Sequence, residues 1–98
     1  MKKGNEDLRL LYRAILTLQN EKECEQLFED LCTPQELKAI AQRLNVAWML
    51  NDGKVYNAIV ESTGASTATI SRVNKTLNYQ AAGGYKIVFG RLKGKNGE

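Results

Sequence analysis

The sequence predicts an all-α protein organised around a helix-turn-helix, and three observations carry that reading. Apolar residues recur at three- and four-residue spacing through most of residues 6–50, the period of an amphipathic helix. Residues 54–77, KVYNAIVESTGASTATISRVNKTL, hold two shorter stripes of the same period, hinged at Gly64. The one β-prone run, Tyr85-Lys86-Ile87-Val88-Phe89-Gly90-Arg91-Leu92, has no second strand candidate to pair with and is therefore read as a short helix.

Taken in order, residues 6–19 form the first helix through Leu8, Leu11, Ile15 and Leu18, with Leu10, Tyr12 and Leu16 broadening its apolar face. Residues 21–31, EKECEQLFEDL, form a second, with Cys24, Leu27, Phe28 and Leu31 on one side and acids on the other. Thr33-Pro34-Gln35-Glu36 opens the third helix as a capping box, Thr33 at the N-cap, Pro34 at the first helical position and Glu36 three residues on. Its body runs through Leu37, Ile40, Ala41, Leu44, Ala47 and Trp48 to about Leu50, where Asn51-Asp52-Gly53 stops it. In the helix-turn-helix, the first helix is expected to turn Val55, Ala58 and Ile59 inward and the second Ile70, Val73 and Leu77. Gly64 can adopt the positive φ that ends the first helix, and Ser66 can cap the second. A short Gly-containing turn setting one helix across another is how this motif is built.

The whole reads as one small domain over residues 1–92, with a flexible basic tail at 93–98. No apolar run approaches the roughly 18 residues of a membrane span, and the N-terminus lacks the pattern of a secretory signal, so a cytoplasmic protein is expected. Cys24 and Cys32 are the only cysteines and there is no histidine, which makes a poor zinc site and excludes Cys-His catalysis. Two reduced thiols are expected. No paired-acid motif or phosphate loop is present, so an enzyme is not expected, nor is a cofactor.

The net charge of +3 is unevenly distributed. Eight of the eleven acids lie between Glu6 and Glu36, whereas Ala65 to Gly97 carries Arg72, Lys75, Lys86, Arg91, Lys93 and Lys95 and no acid. Such asymmetry points one end of the chain at a polyanion. The outer side of the second motif helix presents Thr67, Thr69, Ser71, Arg72 and Lys75. Short side chains let a helix approach base edges, and Arg and Lys meet phosphates. The candidate partner is double-stranded DNA.

TPQELKAIAQRLNVAWMLNDGKVYNAIVESTGASTATISRVNKTLN resembles the Trp repressor family, through Thr33-Pro34, Glu36, Arg43, Leu50, Gly64-Ala65 and above all Ala68-Thr69-Ile70-Ser71-Arg72. The resemblance covers roughly residues 33–78, with one deletion near Asp52-Gly53. Gly83-Gly84-Tyr85-Lys86 is similar to a GGYK segment in the short Trp-repressor-like proteins of Gram-positive bacteria. The resemblance implies a six-helix subunit interlocked with a second copy, which agrees with the broad apolar faces of the two leading helices. It further implies two recognition helices one DNA turn apart, reading a palindromic operator.

On that basis the candidate DNA contacts are Asn57, Ser66, Thr67, Ala68, Thr69, Ser71, Arg72 and Lys75. In the family's namesake a tryptophan indole lies between two arginines, whose counterparts here are Arg43 and Arg72. Val73 stands where the family has glycine and Thr76 where it has serine, so Arg43, Arg72, Val73 and Thr76 form a candidate effector pocket to which tryptophan itself is not expected to bind tightly. Asn57 and Val60 replace basic residues of the first motif helix, and Asn57 could read adenine or face water. The expected function is a dimeric transcriptional regulator, a repressor. The alternative is a helical protein-interaction module whose helix-turn-helix no longer binds DNA.

Overall fold

The computed structural model describes residues 3–79 and 82–95. They form six helices: α1 (Lys3–Leu16), α2 (Glu21–Leu31), α3 (Pro34–Asn51), α4 (Tyr56–Thr63), α5 (Thr67–Asn78) and α6 (Gly84–Lys95). No strand occurs among the described residues, and the run at 85–92 is helical as expected. The chain divides between Leu37 and Lys38 into two compact units, with α3 running across the division.

In the first unit, α1 ends earlier than its apolar period suggests. Thr17 donates both its N–H and its hydroxyl to the Ala14 carbonyl, at 3.1 and 2.7 Å, and Leu18 donates its N–H to Ile15 at 3.1 Å. These three-residue bonds close the last turn and leave Leu18 outside the helix. The chain must turn here because Asn20 takes an extended backbone to cap α2, its side chain accepting from the Glu23 N–H at 2.9 Å. Glu23 reaches back to accept from the Gln19 N–H. The capping box of α3 is fully formed: the Thr33 hydroxyl accepts from the Glu36 N–H at 3.1 Å, and the Glu36 carboxylate accepts from the Thr33 N–H at 2.8 Å. Leu8, Leu10, Tyr12, Leu16 and Leu31 are all exposed in the single chain, Leu16 at 82%.

The core belongs to the second unit. Val46 and Ala47 of α3, Ile59 of α4, Ala65 of the turn, Ile70, Val73 and Leu77 of α5, and Phe89 of α6 are all buried together. The expected inward stripe of α5 is therefore present in full. That of α4 is corrected. Val55 is 68% exposed at the N-cap and Ala58 is exposed, while Tyr56, Ile59 and Val60 face the core. α3 likewise buries Val46 and Ala47 and packs Trp48, Met49 and Leu50 against the core, but leaves Ile40, Ala41 and Leu44 exposed.

α6 is held by aromatic contacts that span the chain. Phe89 meets Trp48 edge to face, with ring centroids 5.0 Å apart, and stacks with Tyr85 at 5.7 Å. Lys86 Nζ donates to Asn51 Oδ1 at 3.0 Å, tying the start of α6 to the end of α3. Gly83, at φ +98°, makes the entry into α6 that a side chain would strain. The helix reaches Lys95, three residues past the expected boundary at Leu92, so Lys93, Gly94 and Lys95 are helical rather than part of a tail. The rest of the expected tail, residues 96–98, lies outside the described residues.

Candidate nucleic-acid interface

The local chemistry of residues 63–69 sets where α5 begins. Gly64 takes φ +73° and ψ 4°, and its N–H returns to the Val60 carbonyl at 2.9 Å, closing α4. The Thr63 hydroxyl donates to the Ile59 carbonyl at 2.7 Å and accepts from the Ala65 N–H at 3.1 Å. It thus joins the end of α4 to the turn. Ala65 is buried, which pins the turn to the core. The Ser66 hydroxyl then accepts from the Thr69 N–H and donates to Thr69 Oγ1, both at 3.1 Å. Ser66 is the N-cap expected from the sequence, and its hydroxyl also donates to that of Thr69 at the helix start.

Beyond the cap, an α-helix advances about 100° per residue. Thr67, Ala68, Ser71, Arg72 and Lys75 then fall within an arc of roughly 140°, opposite Ile70, Val73 and Leu77. All five are exposed and the three opposite are buried. Thr69 sits beside this arc, half-buried. Asn57 is exposed on α4. The structure thus gathers Thr67, Ala68, Ser71, Arg72 and Lys75 onto one outward surface whose only charges are positive. Ser66, exposed, and Thr69, half-buried, stand at the start of the same helix, joined by the cap.

The residues of the candidate effector pocket differ in their surroundings within the chain. Arg43 and Arg72 are exposed, on α3 and α5. Val73 is 3% exposed and belongs to the core. Thr76 donates its hydroxyl to the Arg72 carbonyl at 3.2 Å. It also lines a concavity of about 430 Å³ with Leu44, Leu77, Gly84, Tyr85 and Val88. No group of three or more Cys, Asp or Glu side chains is placed to hold a metal among the described residues, and Cys24 and Cys32 are free thiols.

One residue of this region was not apparent from the sequence. Gln42 of α3 donates from Nε2 to the Thr63 carbonyl at 3.1 Å, a partly buried bond that crosses 21 residues of chain. A polar side chain four residues before the buried Val46, hence on the same helix face, was the available signal.

The profile of the Trp repressor protein family matches residues 6–93. The chain belongs to the Trp repressor family. That family consists of regulatory DNA-binding proteins rather than enzymes. Within it, the chain is 47% identical to YerC, an uncharacterised protein of Bacillus subtilis (strain 168), over 87 residues covering 89% of this chain and 83% of that one. YerC is a Gram-positive member of the Trp-repressor-like group. The crystal structure of a TrpR-like protein from Eubacterium eligens ATCC 27750 superimposes with a TM-score of 0.84 at 48% identity, covering 89% of each chain. A candidate Trp repressor from Staphylococcus aureus gives a TM-score of 0.85 at 44% identity, covering 90% of this chain and 87% of that one. The six-helix Trp repressor-like fold extends over α1, α2 and α6 as well as the 33–78 region that carried the resemblance. No helix among the described residues is long and apolar enough to cross a membrane.

Proposed function

We propose that this member of the Trp repressor family is a sequence-specific transcriptional repressor that binds a palindromic DNA operator as a homodimer in the cytoplasm. The observation that carries the proposal is the outward face of α5, where Thr67, Ser71, Arg72 and Lys75 stand exposed beyond a formed N-cap while the opposite face is locked in the core. Small side chains near the start of a helix can enter a major groove, and the Lys and Arg further along can reach phosphates. Thr67, in the first turn, is assigned to base edges. Arg72 and Lys75 are assigned mainly to the backbone. Ala68 and Ser71 supply the low profile between them, and Ser66 and Thr69 hold the helix end facing DNA.

Dimerisation is supported by large apolar side chains left uncovered in one chain: Leu8, Leu10, Tyr12, Leu16, Leu31, Ile40 and Leu44. Fully burying a side chain of this size stabilises by about 1.5–3 kcal/mol, so several of them on a second copy suffice for a tight pair. A two-fold dimer then offers two copies of α5 to two half-sites about 34 Å apart. Titration of selected and random duplexes at two salt concentrations tests the proposal. Affinity should fall steeply with salt on both and be higher on the selected duplex. A folded dimer that binds no duplex would leave the protein-interaction module as the function.

A further inference from the structure

The geometry points to Gln42 as a positioning residue for DNA recognition, a tie between α3 and the helix-turn-helix that fixes where α5 begins. This inference rests on the DNA-binding reading above and adds to it the residue that orients the reading head. The Gln42 side chain leaves α3 one turn before Val46 and Ala47, the two α3 residues wholly buried against the motif. Its amide donates to the Thr63 carbonyl at 3.1 Å, in the last turn of α4. Carbonyls in that turn lack intrahelical partners, so this bond supplies one that is needed.

Thr63 is the residue through which the turn is assembled. Its hydroxyl takes the Ala65 N–H and gives to the Ile59 carbonyl, and Ala65 leads into the Ser66–Thr69 cap. Hydrogen bonds therefore tie α3 through Gln42 and Thr63 to Ala65, and the peptide chain carries the tie one residue further to the Ser66 cap of α5. The apolar core presses α4 and α5 onto α3, but the hydrophobic effect that drives this is non-directional. A hydrogen bond at 3.1 Å is directional and defines the angle and height of the turn. In a dimer the two copies of α5 must meet half-sites at a fixed separation, and a small misplacement of each turn is felt twice.

The test replaces Gln42 with methionine, which has similar length and helix propensity but no amide donor. Losing one hydrogen bond of this kind corresponds to about a three- to tenfold change in an equilibrium constant. For Gln42→Met, affinity for the selected duplex is expected to fall by about that factor at unchanged salt slope. Amide exchange at Ala65 and Thr69 in the free protein should accelerate by a similar factor. Phe89→Leu, a change in the α6 part of the core that removes none of the hydrogen bonds of the turn, serves as the comparison for plain loss of stability. It should retain wild-type DNA affinity and slow exchange at Ala65 and Thr69. Gln42→Asn, which keeps the amide but is one methylene shorter, should behave like Gln42→Met and replaces it if the methionine variant does not fold.

The inference is overturned if the Gln42 variants bind as tightly as wild type, or if Phe89→Leu loses as much affinity. If the wild-type dimer binds no duplex, the functional proposal fails by itself. Amide exchange at Ala65 and Thr69 then decides whether Gln42 holds the turn, unchanged rates refuting it.

Discussion

Ser66 offers a way to separate the folding of α5 from its use, because two substitutions there act oppositely on the two. The hydroxyl accepts from the Thr69 N–H at 3.1 Å, one of the unpaired donors at the helix start. Removing it in Ser66→Ala should cost about 1 kcal/mol and at most about 2. For a domain of this size that lowers Tm by about 4–8 °C per kcal/mol, compared at equal protein concentration. Ser66→Asp keeps an acceptor of equal capping strength and adds a carboxylate that the helix N-terminus favours by about 0.3–1 kcal/mol. Its stability should therefore match or slightly exceed wild type.

If α5 presents this end to DNA, the same carboxylate sits against phosphates. At about 6 Å the repulsion is about 0.7 kcal/mol in water and about 3 kcal/mol at the effective dielectric of a protein surface. A dimer carries it twice, so affinity should fall at least tenfold. Circular dichroism melts and fluorescence anisotropy on the selected duplex read the two effects independently. Undiminished DNA binding by Ser66→Asp would refute the orientation of α5, and parallel loss of stability and binding in both variants would refute the division between cap and contact.

Other substitutions probe other parts of the proposal. Lys75→Ala should weaken binding about equally on all duplexes and lower the salt slope by about one unit, whereas Thr67 substitutions should change which sequence binds best; equal effects on every duplex would contradict these roles. Light scattering should report twice the chain mass of 11.0 kDa, and a folded monomer at micromolar concentration would refute the dimer. Leu16→Glu, which charges a side chain 82% exposed in the single chain, should raise the dimer dissociation constant without disturbing the core around Ile59; an unchanged constant would remove α1 from the interface. L-tryptophan should bind weakly by calorimetry to the unmodified protein and to Val73→Gly more tightly, and submillimolar binding by the unmodified protein would show that Val73 does not restrict the pocket.

What the sequence made legible was chiefly local. The Thr33–Glu36 box, the left-handed Gly64 and the Ser66 cap each depend on groups no more than four residues apart, and each is present. The inward stripe of α5 was also readable, because polar residues separate Ile70, Val73 and Leu77 and leave one phase. α4 offered no such guide. Val55, Tyr56, Ala58, Ile59 and Val60 are nearly continuous in a helix of two turns, so the period could not say which of them faced in. α3 is apolar on more than one side, and its burial is decided by partners distant in sequence, above all Phe89 against Trp48. The Gln42 bond to Thr63 was hidden for the same reason, since no rule of spacing connects residues that far apart.

Val73 shows how a departure from the family pattern can be absorbed by the fold. An isopropyl group stands where the resemblance places a glycine, and at 3% exposure it is one of three α5 side chains in the core. A glycine there would remove that apolar contact and, within a helix, cost a further few tenths of a kcal/mol in propensity relative to valine, roughly 0.3–0.5 kcal/mol. Valine therefore strengthens the attachment of α5 to the core from within the chain. Thr76, one turn further, takes part in the helix itself by donating to the Arg72 carbonyl, while Arg72 lies exposed with the candidate DNA contacts. Core packing at Val73, the directional tie from Gln42 and the cap at Ser66 all constrain the same short helix. If α5 is the recognition helix, as proposed, a helix so constrained by its own chain has less need of a small molecule to set its angle, and DNA binding is expected without tryptophan.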